Sequence, residues 1–364
     1  MAGRIFQWKF EGREEDYVSV RAFLKSKRFP NSLLSSLKAV PDAVLSDGRP
    51  VHMNALLSGG EEIRVMLPEE TLSDKICPER IPLSVLYEVA DILVIDKPPG
   101  MPVHSSAGHI RGTLANAAAF HYEAQREMRA QERKENERLR EMRETGEEVQ
   151  QESGLSGALP GGGAFSGWDR YVPSFHCLNR LDRDTTGVIV IAKNRLAAAN
   201  LGEAAERREV HREYLAVVTG CTAGHGVIEA PIRRVKGSVI LRECAADGQS
   251  ALTEFCRTGI YRAEDGADAG QIYSILKIRL GTGRTHQIRV HMKAAGFPLP
   301  GDYLYNPDYR RIGRQPLHSL RMSFLHPVSG ERVTFSAPVP ADMREAFGAG
   351  AAYWDDEGRE MDGP

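Results

Sequence analysis

The chain has 364 residues, 41% of them hydrophobic and 26% charged, with a formal net charge of −2 at pH 7. At roughly 100–200 residues per domain, this length fits two domains better than one, and no apolar run approaches the ~20 residues of a membrane span. The N-terminus lacks an apolar signal core, and the five cysteines form no C-x-x-C pair. These features argue against a membrane protein and a zinc site, and they predict a cytoplasmic protein.

The near-neutral total conceals a segregation of charge. Residues 174–300 carry 18 Lys and Arg against 13 Asp and Glu, whereas residues 121–173 carry 8 against 11 and residues 301–364 carry 7 against 10. A basic middle between acidic flanks permits a polyanionic partner. Mixed charge of this kind is more often only a solvated surface, so the pattern alone does not decide.

Residues 17–70 have the pattern of a small α/β unit. Val20, Phe23 and Leu24 have helical spacing, and short β-type segments follow around Gly48 and Gly59. Basic residues cluster on the helical part, namely Arg21, Lys25, Lys27, Arg28 and Lys38. The arrangement resembles a small RNA-binding domain shared by a ribosomal small-subunit protein and several RNA-modifying enzymes; an ordinary α/β cap is the alternative. We expect this domain to span residues 1–75 and to move on a linker at residues 68–82.

A charged segment interrupts the part of the chain that follows. A strand pattern over residues 92–95 ends at the turn that begins with Lys97. Residues 123–152 are then almost wholly polar or charged, and glycines and serines follow them. The charged part is compatible with an exposed helix but has no apolar stripe to bury. We interpret residues 121–170 as an insertion, favouring a solvated excursion over an RNA clamp.

From residue 175 onward the pattern becomes regular. Residues 188–193, 214–220 and 273–280 read as strands, a helix follows residue 194, and another helix lies between Arg284 and Gly296. Strands dominate, and we expect the helices on one side of them, so the predicted class is α+β. We expect one catalytic domain over residues 76–345, interrupted by the insertion, and an acidic tail over residues 346–364.

The densest group of chemically capable residues surrounds Asp182, which lies between Arg180 and Arg183 ahead of a buried strand. Neighbouring cations favour the ionised form of a carboxylate. An ionised carboxylate at the mouth of a sheet can act as a nucleophile or a base. A turn with surface ion pairs is the simpler alternative.

A second group lies in GTGRTHQIRVHM, residues 281–292. A helix that starts near Thr285 places His286 and Arg289 on one face at i,i+3, with Lys293 four residues beyond Arg289. This face suits a carboxylate or RNA phosphates, because a guanidinium can pair a carboxylate bidentately. His286 and His291 are five residues apart and do not share a helix face as a metal pair would.

These groups belong to an ordered set of motifs: VIDKPPGMPVH, NRLDRDTTG, HREYLAVVTG, GTGRTHQIRVHM, GDYLY and QPLHSLRMSFLHPVSGE. The set, which runs from about residue 87 to residue 338, resembles the RluA-like family of RNA pseudouridine synthases. The resemblance implies a central mixed, mainly antiparallel sheet with the active cleft across its middle. It also implies an isomerisation that needs neither a cofactor nor a metal.

The resemblance assigns roles to individual residues. The family's essential aspartate corresponds to Asp182, which attacks the uridine so that the base detaches, rotates and rejoins the ribose through carbon. The family's tyrosine corresponds to Tyr214, which stacks on the base near the carbon proton that leaves. For the basic partner of the aspartate we choose Arg289, with Arg284 as second candidate. Arg180 is expected to help hold the flipped nucleotide.

One position departs from the family pattern, since Asn179 stands where a histidine is usual, and an amide cannot carry the cationic charge of an imidazole. We assign substrate contacts to Arg180, Arg284, His286 and Asn179. The implied partner is structured RNA, first of all 23S-type ribosomal RNA, with transfer RNA as the alternative, and the implied enzyme is a monomer. A catalytically dispensable RNA-binding or ribosome-assembly protein is the competing hypothesis; the intact residues at positions 182, 214 and 289 speak against it.

Overall fold

The computed structural model describes residues 3–13, 17–68, 76–105, 110–145 and 173–354. Its N-terminal part comprises β1 (Gly3–Lys9), α1 (Val20–Ser26), α2 (Asn31–Leu37), β2 (Val44–Ser46), β3 (Arg49–Pro50) and β4 (Glu62–Pro68). The middle part comprises β5 (Ser84–Glu88), β6 (Ile92–Lys97), α3 (Leu114–Thr145), β7 (His176–Cys177), β8 (Thr186–Ala192), α4 (Arg195–Glu206) and β9 (His211–Thr219). The last part comprises β10 (His225–Glu229), β11 (Ile232–Arg234), β12 (Arg242–Cys244), β13 (Leu252–Arg262), β14 (Ile272–Leu280), α5 (Gln287–Ala294), β15 (Leu317–Leu325), β16 (Arg332–Ser336) and α6 (Ala341–Ala346).

The N-terminal strands form a separate antiparallel sheet in the order β1-β4-β2-β3, and α1 and α2 share its hydrophobic core. Ser19 begins α1 by accepting a hydrogen bond from the backbone N–H of Ala22, as N-cap serines do. Phe6 of the first strand is buried, and so is Phe10 directly after the strand. The sequence pattern, taken from residue 17, misses β1.

The N-terminal unit packs firmly against the rest of the chain. Arg4 of β1 donates two hydrogen bonds, of 3.1 and 3.3 Å, to the buried carboxylate of Asp91, and Asn194 donates a third of 2.8 Å. Leu196 of α4 belongs to the N-terminal core. These contacts oppose the expected movement on a tether, because movement of the unit would leave a buried carboxylate unpaired and Leu196 uncovered. Residues 69–75 of the predicted linker lie outside the described residues.

The large sheet has the strand order β10-β13-β14-β9-β15-β8-β6-β5, with β16 beside β15 and β7 beside β8. Neighbouring strands run antiparallel except for the parallel pair β8 and β15 at its middle. This confirms the predicted α+β class and the mixed, mainly antiparallel sheet. All seven residues of β8 are buried, with hydrophobic clusters on both faces of the sheet.

Helix α3 crosses the predicted start of the insertion at residue 121. Its first two turns are buried, including Leu114, Ala118 and Tyr122 in the main core, whereas most of the turns beyond Glu123 are exposed or half-buried. Up to residue 145, the charged segment is thus a helix that extends from the core. Residues 146–170, the remainder of the predicted insertion, lie outside the described residues.

The predicted acidic tail begins too early in the sequence. Phe347 and Trp354 are buried, and the indole of Trp354 donates a 2.7 Å hydrogen bond to the carbonyl of Gly348. Both side chains pack with the β14 residues Tyr273 and Ile275. Residues 346–354 therefore belong to the catalytic unit, and the acidic stretch after residue 354 lies outside the described residues. Within the described ranges, no helix has the length and apolarity to cross a membrane.

Candidate active site

Asp182 lies in the loop of residues 178–185, which joins β7 to the central strand β8. The carbonyl of Asp182 accepts a 3.1 Å hydrogen bond from the N–H of Thr185, which closes a turn. Gly187 then has a φ of +102°, and a Cβ at this position would collide with the carbonyl oxygen of Ser319 on β15. Only glycine fits where β8 approaches β15 this closely. The glycine therefore fixes the backbone at the point where the Asp182 loop enters β8.

Arg289 joins this loop to the C-terminal half of the sheet. It lies on α5, is only 1% exposed, and donates a 2.7 Å hydrogen bond from its Nη1 to Oδ2 of Asp182. Its Nε and Nη2 donate to the two carboxylate oxygens of Asp302, each at 2.7 Å. One buried guanidinium therefore binds two carboxylates, the second one bidentately.

Sequence reasoning missed Asp302, although the motif GDYLY was recognised. Its carboxylate is fully buried and also accepts hydrogen bonds from the backbone N–H groups of Leu304 and Tyr305, at 3.0 and 3.2 Å. Gly301 before it has a φ of +68°, and a Cβ there would meet the carbonyls of Ile312 and Arg314 at 2.7 and 2.6 Å. The glycine in the motif marks this tight turn, and the turn aims Asp302 at Arg289.

The charges of the two carboxylates determine the ionisation of Arg289. Burial opposes its charge, but the hydrogen bonds that Arg289 donates to Asp302 and the negative charges of Asp182 and Asp302 outweigh burial and raise its pKa. The ring faces of Tyr303 and Tyr305 lie 5.4 and 5.1 Å from the guanidinium carbon and add cation–π contacts. Arg289 is therefore a fixed cation beside Asp182.

His286 approaches the other oxygen of Asp182. Its Nε2 lies 3.8 Å from Oδ1, beyond hydrogen-bond distance, while Nδ1 lies 2.9 Å from the hydroxyl of Tyr305. Burial lowers the pKa of His286 more than the charge of Asp182 raises it, which favours the neutral ring. The backbone of His286 is left-handed, with a φ of 57°, immediately before α5. Unlike Arg289, this residue leaves Oδ1 unengaged.

Tyr214 lies on β9 in the main hydrophobic core beneath this loop. It pairs across the sheet with Ser319 of β15 and Ile278 of β14. Burial raises the pKa of the Tyr214 phenol, and the negative charge of Asp182 adds to the rise. The phenol is thus protonated at neutral pH and interacts electrostatically with Asp182.

Lys97, at the end of β6, supports the Asp182 loop from behind. Its side chain is fully buried, and Nζ donates to the carbonyls of Pro98, Met101 and Arg183 at 2.7, 2.9 and 2.8 Å. Burial lowers the pKa of Lys97 to about 7, against the attraction of Asp184. Sequence reasoning marked this lysine only as the end of a strand.

Two of the predicted site residues make their hydrogen bonds away from the carboxylates. Asn179 is buried, and its amide donates to the carbonyl of Val188 and accepts from the N–H of Val190, both at 3.0 Å. It is therefore committed to the backbone of β8 rather than offered to a substrate. Arg284 donates to the carbonyl of Ser250 at 2.9 Å, so the structure does not bring the second candidate to Asp182.

Arg180, two residues before Asp182, is exposed. Burial lowers the pKa of the His104 ring, and the positive charge of Arg180 lowers it further. Within the described ranges, no group of three or more His, Cys, Asp or Glu side chains is arranged to hold a metal ion. The site thus combines a partly exposed carboxylate, a fixed cation and a protonated phenol.

The chain is similar in sequence to known RNA pseudouridine synthases. A family model described as RNA pseudouridylate synthase matches residues 167–294. The "Uncharacterized RNA pseudouridine synthase YjbO" of Bacillus subtilis (strain 168) is 33% identical over 327 residues, which cover 90% of this chain and 97% of that protein. The "Ribosomal large subunit pseudouridine synthase D" of Xanthomonas campestris is 35% identical over 352 residues, which cover 93% and 89%.

A solved structure, human RNA Pseudouridylate Synthase Domain Containing 1, matches with a TM-score of 0.49 and 21% identity over 74% of this chain and 89% of that one. The two bacterial relatives are each more than 30% identical along nearly their whole length. The chain therefore belongs to the RluA-like family of RNA pseudouridine synthases, and it is an isomerase.

Proposed function

We propose that this enzyme converts specific uridines of ribosomal large-subunit RNA to pseudouridine, with Asp182 as the nucleophile. The observation that carries the proposal is the asymmetry of the Asp182 carboxylate. Its Oδ2 is bound by Arg289 at 2.7 Å, while its Oδ1 accepts no hydrogen bond from any described residue and its side chain is 25% exposed. An ionised, oriented oxygen that is open to solvent is what attack on a substrate requires.

The reaction breaks the bond from N1 of the base to C1′ of the ribose and forms a bond from C5 to C1′. The proton on C5 leaves and N1 gains one, so no electrons are exchanged with another molecule. Asp182 would supply the attacking oxygen and be released when the C5–C1′ bond has formed, and Arg289 would keep the carboxylate aligned. The ring of Tyr214 would stack on the detached base, and its hydroxyl would lie near the C5 proton.

A uridine within structured RNA must leave its stack before its glycosidic bond is accessible, at a cost of a few kcal/mol. Contacts with phosphates and base stacking offset such costs. Arg180, exposed beside the Asp182 loop, is the residue that we assign to the flipped nucleotide. The large-subunit substrate is supported by two relatives, one from Xanthomonas campestris and one from Vibrio cholerae, that are both named ribosomal large subunit pseudouridine synthase D. We further infer a monomer, as the family resemblance implies.

The test uses RNA from a strain that lacks the gene, restored with wild type, with Asp182→Ala or with Asp265→Ala. Asp265 is the matched control because its side chain is 84% exposed and pairs only at the surface with Arg311. Pseudouridine is mapped by carbodiimide-blocked reverse transcription in ribosomal and transfer RNA. We expect at least one large-subunit site that wild type and the control restore and Asp182→Ala does not.

A restored site in transfer RNA alone would contradict the ribosomal substrate but not the chemistry. Restoration by Asp182→Ala would contradict the nucleophile. If no site changed in either RNA, the competing hypothesis of an RNA-binding protein that does not depend on catalysis would replace the proposal.

A further inference from the structure

The rim of the site carries an unusual exposed aromatic surface. In the described part of the chain, three tyrosines are more than 40% exposed: Tyr17, Tyr303 and Tyr309, at 74, 42 and 51%. Tyr303 and Tyr309 lie in one loop, which is closed by a 2.9 Å hydrogen bond from the N–H of Gly301 to the carbonyl of Asp308. The ring of Tyr303 lies against Arg183, the residue that follows Asp182. Two of the three exposed tyrosines therefore share a loop that contacts the nucleophile's own loop.

The geometry around Tyr303 is well defined. The guanidinium carbon of Arg183 lies 5.3 Å from the centre of the Tyr303 ring, and that of Arg289 lies 5.4 Å from it. Arg289 in turn holds Asp182 at 2.7 Å. A half-exposed aromatic ring is thus separated from the attacking carboxylate by a single guanidinium.

Arg183 is held in place without being buried. Its Nε and Nη2 donate to the carboxylate of Asp184 at distances of 2.8 to 3.2 Å, and its carbonyl accepts from Lys97. Its side chain is nevertheless 47% exposed. A guanidinium that is fixed by a neighbour but open on its outer face is a ready stacking partner for a planar ligand.

We propose that Tyr303 and Tyr309, with Arg183 beside Tyr303, form a stacking platform for the unpaired nucleobases that flank the target uridine. The proposal rests on the proposed function, since it names what the same cleft binds next to the reacting nucleotide. When one base is extruded, its neighbours lose a stacking partner. Aromatic rings and arginine guanidinium planes can replace that partner whatever the base sequence is. The platform would help to pay for extrusion without taking part in the chemistry.

A second role for Tyr303 must be separated from this one. Its ring also covers Arg289, so its loss could disturb the alignment of Asp182 instead of RNA binding. The two roles differ in kinetics: a lost platform raises KM and leaves kcat nearly unchanged, whereas a misaligned nucleophile lowers kcat. Tyr309 provides the cleaner variant, because the described structure shows no contact between its ring and Arg289.

The experiment compares Tyr303→Ala, Tyr303→Phe, Tyr309→Ala and the double alanine variant. Ile260→Ala is the control, because Ile260 is an exposed apolar residue, 47% exposed, on β13. It lies two strands away from β9, in line with Ser274 of β14 and Val218 of β9, and Val218 is four residues beyond Tyr214. Binding is measured with an RNA hairpin whose uridine-rich loop carries one 2-aminopurine, a base whose fluorescence is quenched on stacking. Kinetics are measured on a ribosomal RNA fragment that contains the mapped uridine.

We expect Tyr303→Ala to raise Kd for the hairpin and KM for the fragment about 10-fold, equivalent to about 1.4 kcal/mol, with kcat within twofold of wild type. Tyr303→Phe should restore both constants, Tyr309→Ala should raise them less, and the double variant should lose the quenching. A fall in kcat at constant KM for Tyr303→Ala, or an unchanged Kd for the double variant, would overturn the platform. The hairpin measurement needs no turnover, so failure of the proposed chemistry would be seen separately.

Discussion

Two carboxylates share the guanidinium of Arg289, and they lie in very different surroundings. Asp302 is only 1% exposed at its side chain and accepts two hydrogen bonds from Arg289 and two from backbone N–H groups. Asp182 is 25% exposed and accepts one hydrogen bond from Arg289 at its side chain. Of the two carboxylates that bind Arg289, Asp302 is thus saturated with hydrogen bonds, whereas Asp182 keeps one oxygen open.

The difference shows how one arginine can serve structure and chemistry together. Asp302 compensates the charge of Arg289 and fixes its position, so that Asp182 does not have to do so. Asp182 can then keep one oxygen uncommitted. If this division is real, removal of either carboxylate should abolish activity, but only removal of Asp302 should weaken the fold.

The largest expected effect comes from this pair of substitutions. Asp182→Asn should lower pseudouridine formation by about 10⁴-fold or more, as loss of a nucleophile does, with little change in the free energy of unfolding. Asp302→Asn should also lower the free energy of unfolding by about 3 kcal/mol, because it leaves the buried Arg289 with too little compensating charge. Urea denaturation and carbodiimide mapping measure the two effects.

Asp308→Asn is the control for the second substitution. Asp308 forms a bidentate pair with Arg310, whose side chain is 47% exposed, and a surface pair of this kind contributes at most about 1 kcal/mol. Equal destabilisation by Asp182→Asn and Asp302→Asn would show that the two carboxylates do not divide their work in this way.

A smaller effect is expected at Lys97, which donates a hydrogen bond to the loop that carries the more exposed carboxylate, Asp182. Lys97→Met removes the hydrogen bond to the carbonyl of Arg183 and should lower kcat about 10-fold, because the nucleophile is then less well positioned. KM should change little. Unaltered kcat would mean that the loop holds Asp182 without the lysine.

The pH dependence of stability provides an independent test of Lys97. Its pKa is lowered from 10.5 to about 7 in the folded protein, so between pH 7 and 10.5 the unfolded chain binds the additional proton. Stability should therefore rise with pH across this window, and below pH 7 this contribution should be constant. Urea unfolding of wild type and Lys97→Met from pH 6 to 10 measures the difference, which should vanish in the methionine variant if Lys97 is its source.

Much of the large sheet could be predicted from sequence, because its central strands are continuous apolar runs. β8 and β14 read as buried strands, and α5 was expected where it is found. β1 was missed because Arg4, Gln7 and Lys9 interrupt its apolar residues. Its partner strand β4 also lies more than 50 residues further along the sequence. Periodicity identifies a strand only when its pattern stands out from its surroundings.

The site was predictable in part for the same reason. The i,i+3 spacing of His286 and Arg289 favoured a carboxylate partner, and both side chains face Asp182. No spacing could show that Asp302 would be the second partner, since a left-handed turn at Gly301 aims it. Nor could sequence show that Asn179 hydrogen-bonds to β8, because such bonds depend on the exact approach of loop and strand.

The smallest expected effect distinguishes the two arginines that sequence left as candidates. Arg284 contacts the carbonyl of Ser250 rather than either carboxylate, so Arg284→Ala should change kcat less than twofold and the free energy of unfolding by less than about 0.5 kcal/mol. If its exposed guanidinium instead binds a phosphate, RNA affinity should weaken uniformly and the slope of its salt dependence should fall by about one. Titrations with the same hairpin RNA at several salt concentrations measure that slope. A large loss of kcat would make Arg284, and not Arg289 alone, a partner of the nucleophile, and the division of labour between the two carboxylates would then need a second cation.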